Sequence, residues 1–385
     1  MKFSKVFSLI LLALLVLTFN IKFSAGQKNI PSVTDFKGNK VQNNPGPLRN
    51  FRILYTRRFR GMPSQFSKRY GNKLFVHTSK TYLYCVNIIS GGFFWIVKTD
   101  APLSSAVSVF GNYVYATDTK DQIYKISIFS GRIIWKTKMK LKLYGCWGTY
   151  NDHVFCPVYS LNADGIFTKG KILRINVFDG KVSSEHNNVF KPSAYGLSEG
   201  NIMYVPGENN LIIAYDMKDL RTRFSVETEA GLISPPIIGK KRIFVVGSRK
   251  LYAINKITGK IEWIRRLNLR LFRDTVPFPR YYNGRIFLGL RGFNVNTGQG
   301  SFVIFGKGRK ETDIYIAGNY LYYAGSLFYP DKNHKGFISV FDINSRTEIS
   351  FKKINHIPKF TLTVYRNLIY YFDRKGSLYC LTGTR

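Results

Sequence analysis

The sequence predicts an all-β protein: an eight-bladed β-propeller with four-stranded blades, its ring closed by an N-terminal strand that completes the last blade. A unit of about 40 residues recurs along the chain, and this is the length of a four-stranded propeller blade. Pairs of turn-forming residues mark the same period independently. A strand-like segment precedes the first unit without a partner of its own, whereas the last unit stops before its outer strand.

Each repeat unit contains a tight turn, two strands rich in aromatic and aliphatic residues, a Ser/Thr-Gly turn and a strand with a large aromatic residue. The clearest copy runs from Arg242 to Trp263, and others run from Lys73 to Trp95 and from Tyr113 to Trp135. The turn pairs favour residues that accept positive φ, as two-residue hairpins require; they are Gly71-Asn72, Gly111-Asn112, Asn151-Asp152, Gly200-Asn201, Gly239-Lys240, Asn283-Gly284, Gly318-Asn319 and Arg366-Asn367. Two longer gaps predict insertions at 161–170 and 326–335, whose role the sequence leaves open.

The two ends of the repeat array predict how the ring closes. The eighth unit ends at Leu378-Tyr-Cys-Leu-Thr-Gly, and the segment Phe51–Phe59 is similar to the outer strand that contains Trp263. We therefore expect Phe51–Phe59 to complete the eighth blade, which would remove the exposed edge strands that cause aggregation. An open array of sandwiches is the alternative.

The N-terminus has the pattern of a secretory signal peptide. Lys2 and Lys5 precede the apolar stretch Val6–Phe19, and Ser24-Ala25-Gly26 supplies the small residues of a cleavage site. We expect a signal peptide at 1–26, a flexible segment rich in Asn, Pro and Gly at 27–49, and a single propeller at 50–385 of a secreted, extracellular protein. A retained N-terminal anchor is the alternative.

Charge indicates the class of partner. The chain has 58 Lys and Arg residues against 22 Asp and Glu residues, a net charge of +36. Such a field attracts polyanions and repels copies of the same chain, so we expect a monomer. It carries no information about the fold.

A motif within the units resembles the tryptophan-docking repeat of the quinoprotein-like (PQQ-repeat) β-propeller superfamily. Its pattern is small-x-Asp/Asn-x-x-Thr/Ser-Gly-x-x-x-Trp, and Ala253, Asn255, Thr258, Gly259 and Trp263 fit it fully. The resemblance implies a structural docking role for Trp95, Trp135 and Trp263, each wedged against the next blade. That superfamily includes both quinone-dependent dehydrogenases and non-enzymatic outer-membrane assembly lipoproteins, so the motif predicts fold rather than function.

Catalytic and cofactor-binding patterns are weak in this sequence. The resemblance implies that a quinone-dependent member would carry two adjacent cysteines, but Cys146 is followed by Trp147. The histidines do not show metal-ligand spacing, and His77 and His153 fall on predicted inner strands. We expect a non-enzymatic protein with no cofactor and no metal; an enzyme with a site at the mouth of the central channel is a less favoured alternative.

The four cysteines do not form an obvious disulfide framework. A two-residue turn at Asn151-Asp152 would pair position 146 with 157 and place Cys146 and Cys156 on opposite sides of the sheet, so free thiols are favoured unless a bulge intervenes. Cys85 and Cys380 occupy equivalent positions in neighbouring blades and are expected to lie too far apart to bond.

Basic residues concentrate where outer strands lead into the next blade. In the run Lys136–Lys142 the lysines alternate and therefore share one side of a strand. The candidates for polyanion binding are Arg57, Arg58, Arg60, Lys136, Lys138, Lys140, Lys142, Arg265, Arg266, Arg270, Arg273, Lys307, Arg309 and Lys310, with Lys352, Lys353 and Lys359 as a further cluster. The alternative is that these residues only make exposed strands soluble.

These observations predict a secreted cationic binding protein. Its basic face would engage an extracellular polyanion, such as a sulfated glycan, or an acidic protein, with peripheral contact to an anionic membrane as a further option. Nucleic acid is a less favoured partner. A scaffold for protein assembly, like the propeller lipoproteins, is the alternative function.

Overall fold

The protein is described here by a computed structural model, in which residues 45–64, 67–188, 191–208, 210–229, 231–232, 234–247, 249–267, 279–303, 310–311, 314–327 and 335–384 are defined. They form 34 strands in eight antiparallel sheets, and these residues contain no helix. It follows that, within these ranges, there is no helix with the length and apolar character that a membrane crossing requires. The expected signal peptide and most of the expected flexible segment lie outside them.

Each sheet is one blade, and the strands follow one another outward within it. Blade one comprises β2 (Lys68–Tyr70), β3 (Lys73–His77), β4 (Tyr82–Asn87) and β5 (Phe93–Lys98), and blade two comprises β6 (Ser108–Phe110), β7 (Tyr113–Thr117), β8 (Gln122–Ser127) and β9 (Ile133–Lys138). Blade three comprises β10 (Lys142–Leu143), β11 (Gly148–Tyr150), β12 (His153–Leu161), β13 (Phe167–Asn176) and β14 (Val182–Asn188). Blade four comprises β15 (Leu197–Glu199), β16 (Ile202–Pro206), β17 (Leu211–Asp216) and β18 (Thr222–Glu227).

Blades five to eight have the same plan, and the last of them takes its outer strand from the start of the chain. Blade five comprises β19 (Ile237–Ile238), β20 (Arg242–Val246), β21 (Lys250–Asn255) and β22 (Ile261–Arg266), and blade six comprises β23 (Arg280–Tyr282), β24 (Arg285–Leu288), β25 (Arg291–Asn294) and β26 (Gly300–Val303). Blade seven comprises β27 (Lys310–Glu311), β28 (Tyr315–Ala317), β29 (Tyr320–Leu327), β30 (Lys335–Asp342) and β31 (Thr347–Ile354). Blade eight comprises β32 (Pro358–Tyr365), β33 (Leu368–Asp373), β34 (Leu378–Thr384) and β1 (Arg49–Arg57).

The ring closes as the sequence predicts. Strand β1 pairs antiparallel with β34, from Arg49 opposite Thr384 to Arg57 opposite Leu378. The strand begins two residues earlier and ends two residues earlier than the predicted segment Phe51–Phe59. The eight-bladed, N-terminally closed propeller is therefore confirmed.

Two faces follow from the antiparallel order of the strands. The connections from first to second strand and from third to fourth strand lie on one face, which we call the turn face. The connections from second to third strand and from each outer strand to the next blade lie on the other, which we call the crossover face. The predicted insertion at 161–170 lengthens the hairpin of β12 and β13 on the crossover face; the other insertion falls largely outside the described residues.

The core lies between the blades. The buried apolar side chains of the described residues form eight clusters, one at each junction of neighbouring blades. Successive residues of a second strand face opposite junctions: Leu74 packs toward the eighth blade and Phe75 toward the second. Because both faces of these strands are buried, their sequences are continuously apolar rather than alternating.

Blade three contains an irregularity that the sequence does not reveal. Leu143 pairs with Val158 and Gly148 pairs with Phe155, so the inner side of the blade has two more residues than β12 across this stretch. Gly145 lies inside this bulge with a φ of +104°. The regular alternation of side chains is interrupted inside the bulge, and Cys146 and Cys156 meet on the same side of the sheet with their sulfurs 2.7 Å apart. The prediction that they lie on opposite sides is wrong, for the reason that a bulge does intervene.

Candidate functional site

The docking tryptophans join neighbouring blades through the turn face. Trp95 donates a hydrogen bond from Nε1 to the carbonyl of Ile128 over 3.1 Å, Trp135 donates to Val177 over 2.9 Å, and Trp263 donates to Val295 over 3.0 Å. In each case the acceptor belongs to the turn between the third and fourth strands of the next blade.

A glycine in that turn receives the indole ring. Gly131 has a φ of +72°, and a Cβ atom there would lie 2.8 Å from ring atoms of Trp95. Gly180 and Gly298 stand in the same relation to Trp135 and Trp263. The glycine is needed both for the left-handed backbone and for the close approach of the ring.

Tyr55 on β1 performs this docking for the eighth blade, and the sequence analysis did not single it out. Its hydroxyl donates to the Ile88 carbonyl over 2.7 Å, and its ring lies against Gly91. The similarity of Phe51–Phe59 to the strand of Trp263 contained the signal, because aligning the two segments places Tyr55 opposite Trp263.

Two candidate arginines serve the same junctions. The Arg57 guanidinium donates from Nε to the carbonyl of Gly91, and the Arg265 guanidinium donates to the carbonyl of Thr297 over 2.9 Å. Each arginine follows the docking aromatic residue by two positions. Part of the hydrogen-bonding capacity of Arg57 and Arg265 is therefore used within the ring.

The predicted lysine run forms an exposed ridge that leads from β9, the outer strand of blade two, into β10 of blade three, so its four lysines do not share one strand as predicted. Lys136, Lys138, Lys140 and Lys142 are all exposed. Their charge is partly balanced from the crossover loops: Lys136 pairs with Asp100 over 2.6 Å, and Lys142 pairs with Asp121 over 3.3 Å. The Asp100 side chain is exposed, and its pKa is lowered mainly by the hydrogen bond from Lys136.

A second basic group lies on the crossover face where the ring closes, and we call it the seam cluster: Arg58, Arg60, Lys80, Arg374 and Lys375. All five side chains are exposed. Within the described part of the chain, none of the five forms an ion pair with a carboxylate. The sequence analysis named Arg58 and Arg60 but not the other three.

The crossover from β1 into the first blade holds the seam cluster together. Met62 exchanges hydrogen bonds with Ser79, accepting from its amide over 2.7 Å and donating to its hydroxyl over 3.0 Å. The Thr78 hydroxyl donates to the Arg60 carbonyl over 2.8 Å. On the other side, Gly376 lies so close to Met62 and Pro63 that it has no room for a Cβ atom. Charged residues of the first and last blades are thus carried on a rigid backbone.

An aromatic stack borders the seam cluster in the eighth blade. The His356 ring lies on Tyr379, with 3.9 Å between centroids and 11° between planes, and its Nε2 atom is hydrogen-bonded to the Tyr371 hydroxyl. Burial lowers the pKa of His356, and Asp373 acts in the opposite direction. The stack therefore holds a neutral imidazole at neutral pH. Arg58 lies near enough to Tyr379 to oppose the burial-driven rise of that tyrosine's pKa.

The remaining basic candidates are scattered or lie beyond the described ranges. Arg266 is exposed at the end of β22, Lys352 and Lys353 are exposed on β31, and Lys359 is exposed on β32. Lys310 belongs to β27. Arg270, Arg273, Lys307 and Arg309 lie outside the described residues.

The same residues bear on metal binding. Among those the structure describes, there is no group of three or more His, Cys, Asp or Glu side chains that could hold a metal ion. The buried His77 lies between blades one and two, and burial lowers its pKa to about 4.

A comparison with known protein families identifies the family of this chain. The family described as "Outer membrane protein assembly factor BamB" matches residues 79–183 and 168–299, which together cover more than half of the chain. The chain belongs to this family of PQQ-repeat propellers. The resemblance inferred from the docking motif is confirmed. A comparison with curated protein sequences finds no match.

Solved structures agree on the architecture of this PQQ-repeat propeller. The quinohemoprotein alcohol dehydrogenase from Comamonas testosteroni is 10% identical, with a TM-score of 0.65, over 91% of this chain and 79% of that one. The computationally designed Ika8 protein is 12% identical, with a TM-score of 0.64, over 82% and 95%. BamB from Moraxella catarrhalis is 13% identical, with a TM-score of 0.47, over 81% and 80%. At these identities the likeness concerns the fold alone.

Proposed function

We propose that this propeller is a non-catalytic binding protein that engages an anionic partner through the crossover face of blades eight, one and two. The observation that carries the proposal is the seam cluster, whose five exposed basic side chains have no carboxylate partner among the described residues. A solvated surface normally mixes both signs of charge, whereas the basic residues of the seam cluster have no such acidic partners among the described residues.

Rigidity favours the seam cluster over the lysine ridge as the centre of the site. Arg58 and Arg60 lie on a crossover that is hydrogen-bonded to the first blade, so little conformational freedom of the backbone is lost on binding. Two ridge lysines already pair with Asp100 and Asp121 and would have to exchange those partners. The ridge extends the positive field and steers the partner toward the seam.

A sulfated glycan is the partner class that the proposal puts first. The leader-like N-terminus supports secretion, and sulfated polysaccharides are abundant anions outside cells. Arginine is suited to such groups because its planar guanidinium donates two parallel hydrogen bonds to an oxyanion. Each sulfate that is neutralised releases a counterion, so the affinity should fall steeply as salt rises.

The test is chromatography of the purified protein on heparin and, in parallel, on a plain sulfonate exchanger. The proposal expects elution from heparin at clearly higher salt than from the sulfonate resin. Equal elution salt on the two resins would mean that the charge acts generically, and the proposal would then be wrong.

A matched pair of variants assigns the effect to the seam. The seam variant replaces Arg58, Arg60, Arg374 and Lys375 with Gln; Lys80 is left in place because its side chain packs on Gly61. The control variant replaces four exposed basic residues of the turn face with Gln: Arg132, Lys218, Lys240 and Lys260. Both changes remove the same charge. Only the seam variant should lose the additional retention on heparin.

An assembly scaffold is the second candidate, and one observation favours it beyond the family match. The outer strands of blades eight, one and two expose large apolar side chains, among them Leu54, Ile96 and Ile134. Exposed apolar surface of this kind marks protein contacts more often than isolated residues do. A scaffold of this type would form a complex that survives high salt and depends on Ile96 and Ile134. The seam variant would leave that complex intact.

A further inference from the structure

Blade three contains a buried pair of cysteines that the binding proposal does not use. Cys146 lies in the bulge that leads from blade two into β11, and Cys156 lies on β12. Their relative side-chain exposures are 3% and 0%, and both belong to the apolar cluster between blades two and three. Each is a thiol in this structure.

The distance between the two sulfurs is shorter than the van der Waals contact distance between non-bonded atoms. The Sγ atoms are 2.7 Å apart, whereas non-bonded heavy atoms as small as carbon stay roughly 3.5–4.0 Å apart. The backbone of the bulge thus brings the sulfurs well inside non-bonded contact. A disulfide needs no change of strand register here, because both side chains already project into the same cluster.

The backbone around Cys146 is fixed independently of its sulfur. The Cys146 carbonyl accepts a hydrogen bond from the Ser108 hydroxyl of blade two. Trp147 is held by its indole, which donates to the Tyr144 carbonyl over 3.1 Å. Gly145 takes the left-handed conformation that the bulge needs. These contacts hold Cys146 against β12, so the pairing does not depend on a mobile segment.

We propose that Cys146 and Cys156 form an intramolecular disulfide that fastens the bulge to the centre of blade three. The oxidant is a thiol–disulfide partner of the glutathione-disulfide class. One cysteine thiolate attacks that disulfide, forms a mixed disulfide and releases one thiol. The other cysteine then attacks its neighbour's sulfur and releases the second thiol, so two electrons and two protons pass to the acceptor.

Burial determines when the bond can form and break. Burial raises the pKa of the Cys156 thiol well above its usual range, and the nearby Cys146 adds to the effect. In the folded protein Cys156 therefore offers little thiolate, and neither buried side chain is accessible to an external reagent. The bond forms while the chain folds, and once formed it resists reductants until the blade opens.

Cys85 and Cys380 provide an internal control, because they occupy different inter-blade clusters and do not share one. Burial raises the pKa of Cys85 to about 12 and that of Cys380 to about 11. Neither has a cysteine neighbour among the described residues. They should remain thiols under the conditions that oxidise the blade-three pair.

The sequence allows a direct test on the full chain. The protein is refolded in a glutathione redox buffer, denatured in acid, alkylated and digested with trypsin. Cys146 and Cys156 fall in one tryptic peptide, 143–169, whereas Cys85 and Cys380 fall in two others, 81–98 and 376–385. We expect the first peptide unalkylated and two hydrogen atoms lighter than its dithiol form, with the other two peptides alkylated.

Cleavage before Asp152 confirms the linkage within that peptide, since it lies between the two cysteines. The two fragments should stay together until a reductant is added. Alkylation of all four cysteines, or a bond between any other pair, would overturn the proposal. The test uses the unaltered chain, so it does not depend on whether a cysteine variant folds.

A kinetic measurement adds a second readout. In native buffer, reduction by a small thiol should be at least about tenfold slower than in denaturant, because access requires local opening. Equal reduction rates in the two conditions would show that the bond is exposed and not the buried one proposed.

Discussion

At the scale of the residue, the pKa of His77 tests how completely the packed blades exclude water from a buried side chain. Its side chain is 4% exposed, and its Nε2 atom has no hydrogen-bond partner among the described residues. Burial lowers its pKa from 6.5 to about 4. In the unfolded chain the same group would protonate near pH 6.5. The free energy of unfolding therefore has its full value above that pH and decreases as the pH falls toward 4, because only the unfolded chain binds the proton in this range.

We expect this single group to cause about 3 kcal/mol of acid destabilisation between pH 7 and pH 4. The measurement is urea unfolding across that range for the wild-type protein and for His77→Asn, which cannot titrate. The difference between the two free energies of unfolding should change by about that amount. A difference that stays constant with pH would show that His77 is solvated in the folded state.

The docking glycines provide a second residue-scale test. Gly131 and Gly111 both have positive φ, +72° and +55°, but only Gly131 faces a ring, that of Trp95. Gly111→Ala should lose about 1–2 kcal/mol of unfolding free energy from the backbone alone. Gly131→Ala should lose clearly more, because its Cβ atom would lie 2.8 Å from the indole. Equal losses in chemical denaturation would contradict the docking interpretation.

At the scale of the element, strand β1 determines whether the ring of blades stays closed. Tyr55 is its docking residue, hydrogen-bonded to Ile88 in the first blade, while its neighbour Leu54 is half exposed. Tyr55→Ala should lower the free energy of unfolding by about 2–4 kcal/mol, since it removes both an aromatic contact and a hydrogen bond across the closure.

Leu54→Ala is the control on the same strand. It should change the unfolding free energy by no more than about 0.5 kcal/mol, as exposed substitutions usually do. Similar effects of the two substitutions would mean that β1 contributes through its backbone pairing with β34 and that the Tyr55 contact adds little.

At the scale of the whole molecule, the excess of positive charge works against the compact state. The net charge of +36 comes from 58 basic and 22 acidic residues, and like charges repel more strongly when the chain is folded. Sodium chloride should therefore raise the thermal midpoint by about a few degrees between low and physiological ionic strength, because screening sets in over this range. Scanning calorimetry measures the midpoint, and an equal osmolality of a neutral sugar is the comparison. A midpoint that falls with salt would mean that ion pairs such as Lys256 with Glu199 outweigh the repulsion.

The parts of the structure that repeat could be predicted from the sequence. The apolar strands and the turn pairs recur from blade to blade, and the Trp263-type motif recurs in several blades, so the blade count and the closure by β1 follow from pattern alone. Tyr55 was missed because its glycine partner, Gly91, lies in another blade and the aromatic residue differs from tryptophan.

The parts of the structure that depend on packing between residues far apart in the sequence could not be predicted. Lys80 of the first blade and the loop of Arg374 and Lys375 in the last blade both pack on the crossover that follows β1, and no local pattern predicts that arrangement. The bulge at Gly145 adds two residues without altering the hydrophobic pattern. The acidic partners of the lysine ridge come from the loops around Asp100 and Asp121, so the run of sequence from Lys136 to Lys142 overstated its free charge.

The pairing of β1 with β34 also determines the order of events during synthesis. Strand β1 leaves the ribosome before any blade, yet its partner Leu378–Thr384 is made only after the other seven blades. Until β34 is made, β1 has no partner strand, and its apolar residues, such as Ile53 and Leu54, need protection from other chains. Seven blades can assemble in sequence, but the ring closes only after β34 has been made, through a contact between the first and last strands of the propeller. Closure of the ring is thus the final step in forming this fold, and it should be the slowest one.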